Sequence, residues 1–185
     1  KPAAYALILL RQEGYPCVFY GDLFGMPNDG HVPAVRELPL LMELRRRFAY
    51  GQQHDYIDNP DVIGWTREGD GRHGGSGLAC VLTDRTGGTK RMYVGKRHAG
   101  ENWVAVIGGE PDTTVDAGGN ADFSCKDGML SVYLPEDTAF VLENDVIRSG
   151  EDIPVDLKSH LPKPTDEEKS EAERLRQEAG KYASG

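Results

Sequence analysis

No stretch of this 185-residue sequence stays apolar for the ~20 residues that a helix needs to cross a bilayer. A surplus of basic residues is missing too: 21 Lys and Arg stand against 30 Asp and Glu, a net charge of −9. Nucleic acid is therefore not an expected partner, because neutralising phosphates takes clustered cations. The one basic cluster, Arg45-Arg46-Arg47, lies beside Glu43 on a predicted helix and reads as its solvated end. Cysteine is scarce, and three is an odd number, so no disulfide framework is implied. Cys17, Cys80 and Cys125 read as small buried hydrophobes, which leans towards a reducing compartment. No internal repeat is present.

What is there begins with Gly14–Asp22, Gly-Tyr-Pro-Cys-Val-Phe-Tyr-Gly-Asp. Cys17 to Tyr20 form a short apolar, β-branched and aromatic run, with Pro16 at its mouth and Gly21-Asp22 closing it. A strand buried on both faces of a parallel sheet reads this way. Helical patterns flank it, Ala3 to Arg11 before and Pro39 to Phe48 after, with Pro39 suited to a first helical turn. Asp22 then falls just past the carboxyl end of the strand, where α/β folds place chemistry, although a turn cap is the simpler reading. One parallel strand cannot stand alone, and a complete (β/α)8 barrel takes roughly 250 residues. Residues 1–50 are thus expected to be the last piece of a larger barrel.

From Tyr50 the texture changes to short runs bounded by Gly, Asn and Asp: 54–57, 62–67, 77–83, 90–94, 103–107, 113–116, 121–124 and 129–134. Turn signals recur about every ten residues, as in an antiparallel β-sandwich. Trp65, Leu78, Val81, Tyr93 and Val132 are the expected core, and Thr86-Gly87-Gly88 reads as a hairpin turn. Thr138–Val141 reads as one further strand. Gly150 to Pro164 has the prolines of a stiff linker. Thr165-Asp166-Glu167-Glu168 is a capping box opening a charged helix with a thin stripe of Ala172, Leu175, Ala179 and Tyr182. That helix is expected to be solvated, with docking to a partner as the alternative. The expected organisation is 1–50 barrel end, 51–142 sandwich, 143–164 linker and 165–185 helical tail.

The stretch KPAAYALILLRQEGYPCVFYGD resembles the end of the catalytic barrel of the α-amylase family of glycoside hydrolases, helix seven followed by strand eight. The likeness continues through RRRFAYGQQHDYIDNPDVIGWTREGD, SGLACVLTD and GGTKRMYVGKRHAGENW, covers about residues 1–134, and is strongest to the bacterial-type, liquefying branch. The resemblance implies a mixed fold: the last βα unit of a TIM barrel, an appended Greek-key sandwich (domain C), and a C-terminal helix. Two places depart from the family pattern: residues 118–125 lack its aromatic-bearing strand start, and the chain continues well past Pro135.

The implied activity is retaining hydrolysis of internal α-1,4 bonds of starch or glycogen, which needs two carboxyl groups about 5–5.5 Å apart. The family's three catalytic carboxylates follow barrel strands four, five and seven and would precede Lys1, so no catalytic residue is assigned and this chain alone is expected to be inactive. The resemblance also implies a calcium ion joining domain C to the barrel, with the Pro60 carbonyl and the Asp61 and Asp84 carboxylates as half of its ligands. Here Pro60 stands where a histidine is common, which is harmless if only the carbonyl binds. For α-glucan substrate, the candidates are His31, in the irregular loop 21–32, and Trp103, as a surface stacking residue. His54-Asp55 is expected to be structural because strand neighbours face opposite ways, and Arg72-His73-Gly74-Gly75 reads as a turn without the context of a phosphate cradle. Alternatives are a non-catalytic carbohydrate-binding or interaction sandwich and a transglycosylating relative. Free cysteines favour a cytoplasmic location, with secretion as the alternative.

Overall fold

The computed structural model describes residues 1–26 and 32–147, except for the side chains of 141 and 143–147. They belong to one compact unit, Lys1–Ile153; a second, Pro154–Gly185, contains the expected linker end and tail helix and lies outside the described residues.

Eight strands form among the described residues: β1 (Gln53–Tyr56), β2 (Val62–Arg67), β3 (Leu78–Thr83), β4 (Gly88–Tyr93), β5 (Asn102–Ile107), β6 (Thr113–Thr114), β7 (Asn120–Cys125) and β8 (Leu130–Pro135). Six make an antiparallel sheet in the order β1-β2-β3-β8-β5-β6, and β4 pairs with β7 as a separate ribbon. The central strand β3, Leu-Ala-Cys-Val-Leu-Thr, is buried along its whole length because both faces are covered. Its side chains alternate between two cores. Leu78, Cys80 and Leu82 join Trp65, Val132 and Leu134 on the side of the helices, whereas Ala79 and Val81 join Met92, Trp103, Phe123 and Tyr133 beneath the ribbon. Of the expected core, Trp65, Leu78, Val81 and Val132 are buried and Tyr93 is half-buried.

The helices supply the other layer. α1 (Pro2–Leu10) buries Tyr5, Ala6, Leu9 and Leu10, and α3 (Leu38–Arg47) buries Leu38, Leu41 and Leu44 at spacings of three. Three arginines in the last turn of α3 complement its dipole. Burying each of these leucines is worth roughly 1.5–3 kcal/mol, enough to seat α1 and α3 on the sheet.

Three local expectations need correction. Cys17 to Tyr20 are not a strand: the chain is extended to Phe19 and then turns into a short helix, α2 (Tyr20–Phe24). A parallel strand exists only if neighbours take up its N–H and C=O groups, and no parallel partner is present among the described residues. Thr86-Gly87-Gly88 does not close a β3–β4 hairpin. Both edges of β3 are already taken, by β2 and β8, so the chain crosses to the ribbon. Thr138–Val141 is helical, within α4 (Glu136–Ile147), which also runs past residue 143, where the linker was expected to start.

Candidate functional site

Asp22 occupies the first turn of α2 and is only 8% exposed. Lys1 Nζ approaches its Oδ1 at 2.5 Å, and the Tyr5 hydroxyl donates to its Oδ2 at 2.8 Å. The two donors lie about one helical turn apart, Lys1 at the N-cap of α1 and Tyr5 within it. The Lys1 bond first, then the Tyr5 bond, hold the carboxyl below the usual carboxylate range, against the opposing pull of burial; the same bond raises the Tyr5 phenol. Asp22 is thus an ionised tie between α1 and α2. A depressed carboxylate stabilises the fold above its unfolded pKa of about 3.9, and that contribution is lost as pH falls through the lower folded value. We expect the difference in urea midpoint between the native chain and Asp22→Asn to be constant near neutrality and to shrink below about pH 4.

Around this tie lies an uncovered apolar flank. Tyr15 is 99% exposed, Tyr20 69% and Phe19 55%, and the Tyr20 and Phe24 rings stand 4.7 Å apart. A shallow hollow of about 340 Å³ opens here, floored by Tyr5 and Asp22 and walled by Ile8, Cys17 and Phe19. Cys17, expected to be buried, is exposed, while Cys80 and Cys125 are buried and their thiols are pushed up by burial.

The β2–β3 register, Val62 opposite Thr83, brings Asp61 and Asp84 to the same end of the ladder. Both are exposed, and Arg85 Nη1 lies 4.0 Å from Asp61 Oδ1. The backbone N–H of Asp61 donates to Asn59 Oδ1 at 2.8 Å, fixing the turn that carries Pro60. Two carboxylates and a carbonyl are the hard donors that calcium prefers, but the ion takes six to eight oxygens. No group of three acidic, histidine or cysteine side chains that could hold a metal exists among the described residues.

Trp103 is fully buried, so neither ring face can stack on a sugar. Its indole meets the edges of His98 and Phe123 at 5.2 and 5.8 Å. This corrects the surface assignment: on β5 the indole points under the ribbon, into the second core. His31 lies outside the described residues. His54 and Asp55 do face opposite ways, His54 to Glu68 at 2.6 Å and Asp55 to Arg11 at 2.8 Å. His73 closes the 70–73 turn on Asp70 and stacks on Tyr50 with 3.6 Å between ring centroids.

Sequence reasoning missed two groupings. His98 is buried between Glu101 Oε2 at 2.6 Å and the Glu68 carbonyl at 2.9 Å, at the back of a polar cleft of about 430 Å³ reached also by Arg97 and Glu136. The i, i+3 spacing of His98 and Glu101 was the available signal. The second is a set of arginines from the C-cap of α1, from α3 and from β2 around one cleft, which no local spacing announces because it is assembled from three parts of the chain.

The α-amylase of Geobacillus stearothermophilus is 50% identical over 140 residues, 75% of this chain and 25% of that protein. The α-amylase of Bacillus licheniformis is 45% identical over 138 residues, 72% of this chain and 27% of that protein. Over this stretch the chain is an α-amylase homologue. A glucan 1,4-alpha-maltohexaosidase of Bacillus sp. (strain 707), 46% identical over 136 residues (72% of this chain and 26% of that protein), agrees with the bacterial-type resemblance. The cytoplasmic alpha-amylase of Escherichia coli (strain K12) is 34% identical over 148 residues, 74% of this chain and 30% of that protein. The chain therefore spans about a quarter of the length of these Geobacillus and Bacillus relatives. No protein-family model matches it. An α-amylase structure from Malbranchea cinnamomea aligns with 58% of this chain and 23% of its own at 14% identity, with a TM-score of 0.44, too loose to bear on the fold. No helix among the described residues is long and apolar enough to cross a membrane.

Proposed function

We propose that this chain is the C-terminal part of a bacterial-type α-amylase: the last helix–strand–helix of the catalytic barrel, then domain C. The observation that carries the reading is the exposed aromatic flank from Tyr15 to Phe24, whose Cys17–Phe19 run has no strand partner among the described residues, in a chain half identical to a quarter of an α-amylase. In the whole protein Cys17–Tyr20 would become strand eight, closed in by seven others, and α1 and α3 would be the barrel helices on either side of it. The parent would hydrolyse internal α-1,4-glucosidic bonds of starch or glycogen with retention. That reaction needs a nucleophile and an acid/base carboxyl close together, and Asp22, tied to Lys1 and Tyr5, offers one carboxylate with no second carboxyl bonded to it among the described residues. The role of this chain is then to complete and stabilise the barrel. Asp61, Asp84 and the Pro60 carbonyl would supply the sandwich side of a calcium site whose other ligands come from the rest of the protein.

Three measurements test this. The purified 185-residue chain should release no reducing sugar from soluble starch; release that Asp22→Asn abolishes would overturn the reading. The exposed Cys17 should react with an aromatic disulfide reagent as the single fast thiol of this chain, and should be protected in the longer protein, where strand eight is covered. Equal Cys17 rates in the two would show that nothing closes over it. For the metal, Asp61→Ala should lower calcium affinity in the longer protein, and an unchanged titration would remove Asp61 from the site.

A carbohydrate-binding module remains the second reading, but it has lost its best aromatic, since Trp103 is buried. Exposed Tyr15 and Tyr20 lie outside the sandwich.

A further inference from the structure

Where α1 ends, α3 ends and β2 ends, a cleft of about 410 Å³ is lined by four guanidinium groups, Arg11, Arg45, Arg46 and Arg67, together with Tyr50. Two of the four have carboxylate partners: Arg11 pairs with Asp55, and Arg46 with Glu43. The other two have none among the described residues. Arg67 is 6% exposed and gives Nε and Nη2 to one neutral acceptor, the Gly51 carbonyl, at 3.1 and 3.0 Å. Arg45 gives Nη1 to the carbonyls of Leu9 and Arg11. Arg11, which also lines the cleft, keeps its Nε buried with no hydrogen-bond acceptor. In a chain of net charge −9, two uncompensated cations and an orphaned donor thus converge on one hollow.

Burying a guanidinium beside a second cation is unfavourable unless an anion joins them. The strain is visible in Arg67, whose pKa is lowered from the usual arginine value first by burial and then by the charge of Arg45, against a weaker pull from Asp70. A guanidinium presents paired N–H donors in a plane, which matches the oxygens of a phosphoryl group and holds it bidentately. The hollow leaves room for an organic body beside that group.

We propose that this cleft binds a phosphate group, free or carried on a small organic molecule, between Arg45 and Arg67. The site is remote from Asp61 and Asp84, and the proposal does not rest on the assignment to a parent amylase. Isothermal titration of the full 185-residue chain at low salt, with inorganic phosphate in one arm and glycerol phosphate in the other, tests it. Saturable binding is expected in at least one arm; tighter binding of the ion points to free phosphate, and tighter binding of the ester to a phosphorylated metabolite. Arg45→Gln should weaken binding at least tenfold, and Arg67→Gln should do the same wherever near-ultraviolet circular dichroism shows it folded. Arg91→Gln, a surface arginine paired with Asp116 and Asp122, should leave binding unchanged. No saturable heat in either arm, or binding that Arg45→Gln leaves intact, would overturn the proposal. If Arg67→Gln does not fold, the half-buried Arg45 decides alone.

Discussion

Gly51→Ala should be among the most damaging single-methyl changes in this chain. Gly51 has φ +78°, and a Cβ there would lie 2.1 Å from the carbonyl oxygen of Gly69 and 2.6 Å from its nitrogen. A non-glycine residue held at such an angle already costs roughly 1–3 kcal/mol, and the opposing group is backbone, which cannot swing away. The junction that would have to open is dense. Gly69 N–H donates to the Tyr50 carbonyl at 2.9 Å, Glu68 N–H to Gln52 at 3.0 Å, and the Gly51 carbonyl receives both Arg67 donors. The loss should therefore exceed the strain alone, and urea unfolding at neutral pH measures it. A loss below about 1 kcal/mol would mean that 50–52 and 68–69 do not meet as described.

Trp103→Ala is the second large effect. The indole is fully buried in a row of edge-to-face rings that continues from Phe123 to Tyr133 at 5.1 Å. Truncating a buried tryptophan typically costs about 3–5 kcal/mol. Trp103→Phe should retain much of the stability, because the indole Nε1 has no hydrogen-bond partner to lose. The pair of variants also separates structure from recognition. With the folded fraction held equal, maltodextrin retention in affinity electrophoresis should be the same for the native chain and Trp103→Phe. A selective loss of retention would put the ring back at a surface.

How much of this was legible beforehand varied with how local the signal was. β2 and β3 could be read because their residues alternate between two faces that both happen to be buried. The partner of β4 could not, since Thr86-Gly87-Gly88 encodes a reversal but says nothing about which edge is free to receive the next strand. At 138–141, Thr-Ala-Phe-Val, a short run with three apolar residues fits either helix or strand; the acidic pair Glu136-Asp137 in the first turn favours the helix that forms. Cys17 to Tyr20 carry the pattern of a sheet centre, but a pattern cannot supply the neighbours. The inward turn of Trp103 was hidden because β5 is apolar at both parities, with Val104 and Val106 half-buried on the other side. Asp22 was picked out by position, and the Lys1 and Tyr5 spacing that explains its charge lay one turn away on α1.

Only two tryptophans occur in the chain, and the sheet divides them: Trp65 lies in the core against the helices, Trp103 in the core beneath the ribbon. Each layer thus carries its own fluorophore, shielded from water on opposite sides of one wall. Removing either indole by phenylalanine leaves an optical probe confined to the other half, so the emission of the two variants can reveal whether the layers melt in one step or come apart separately.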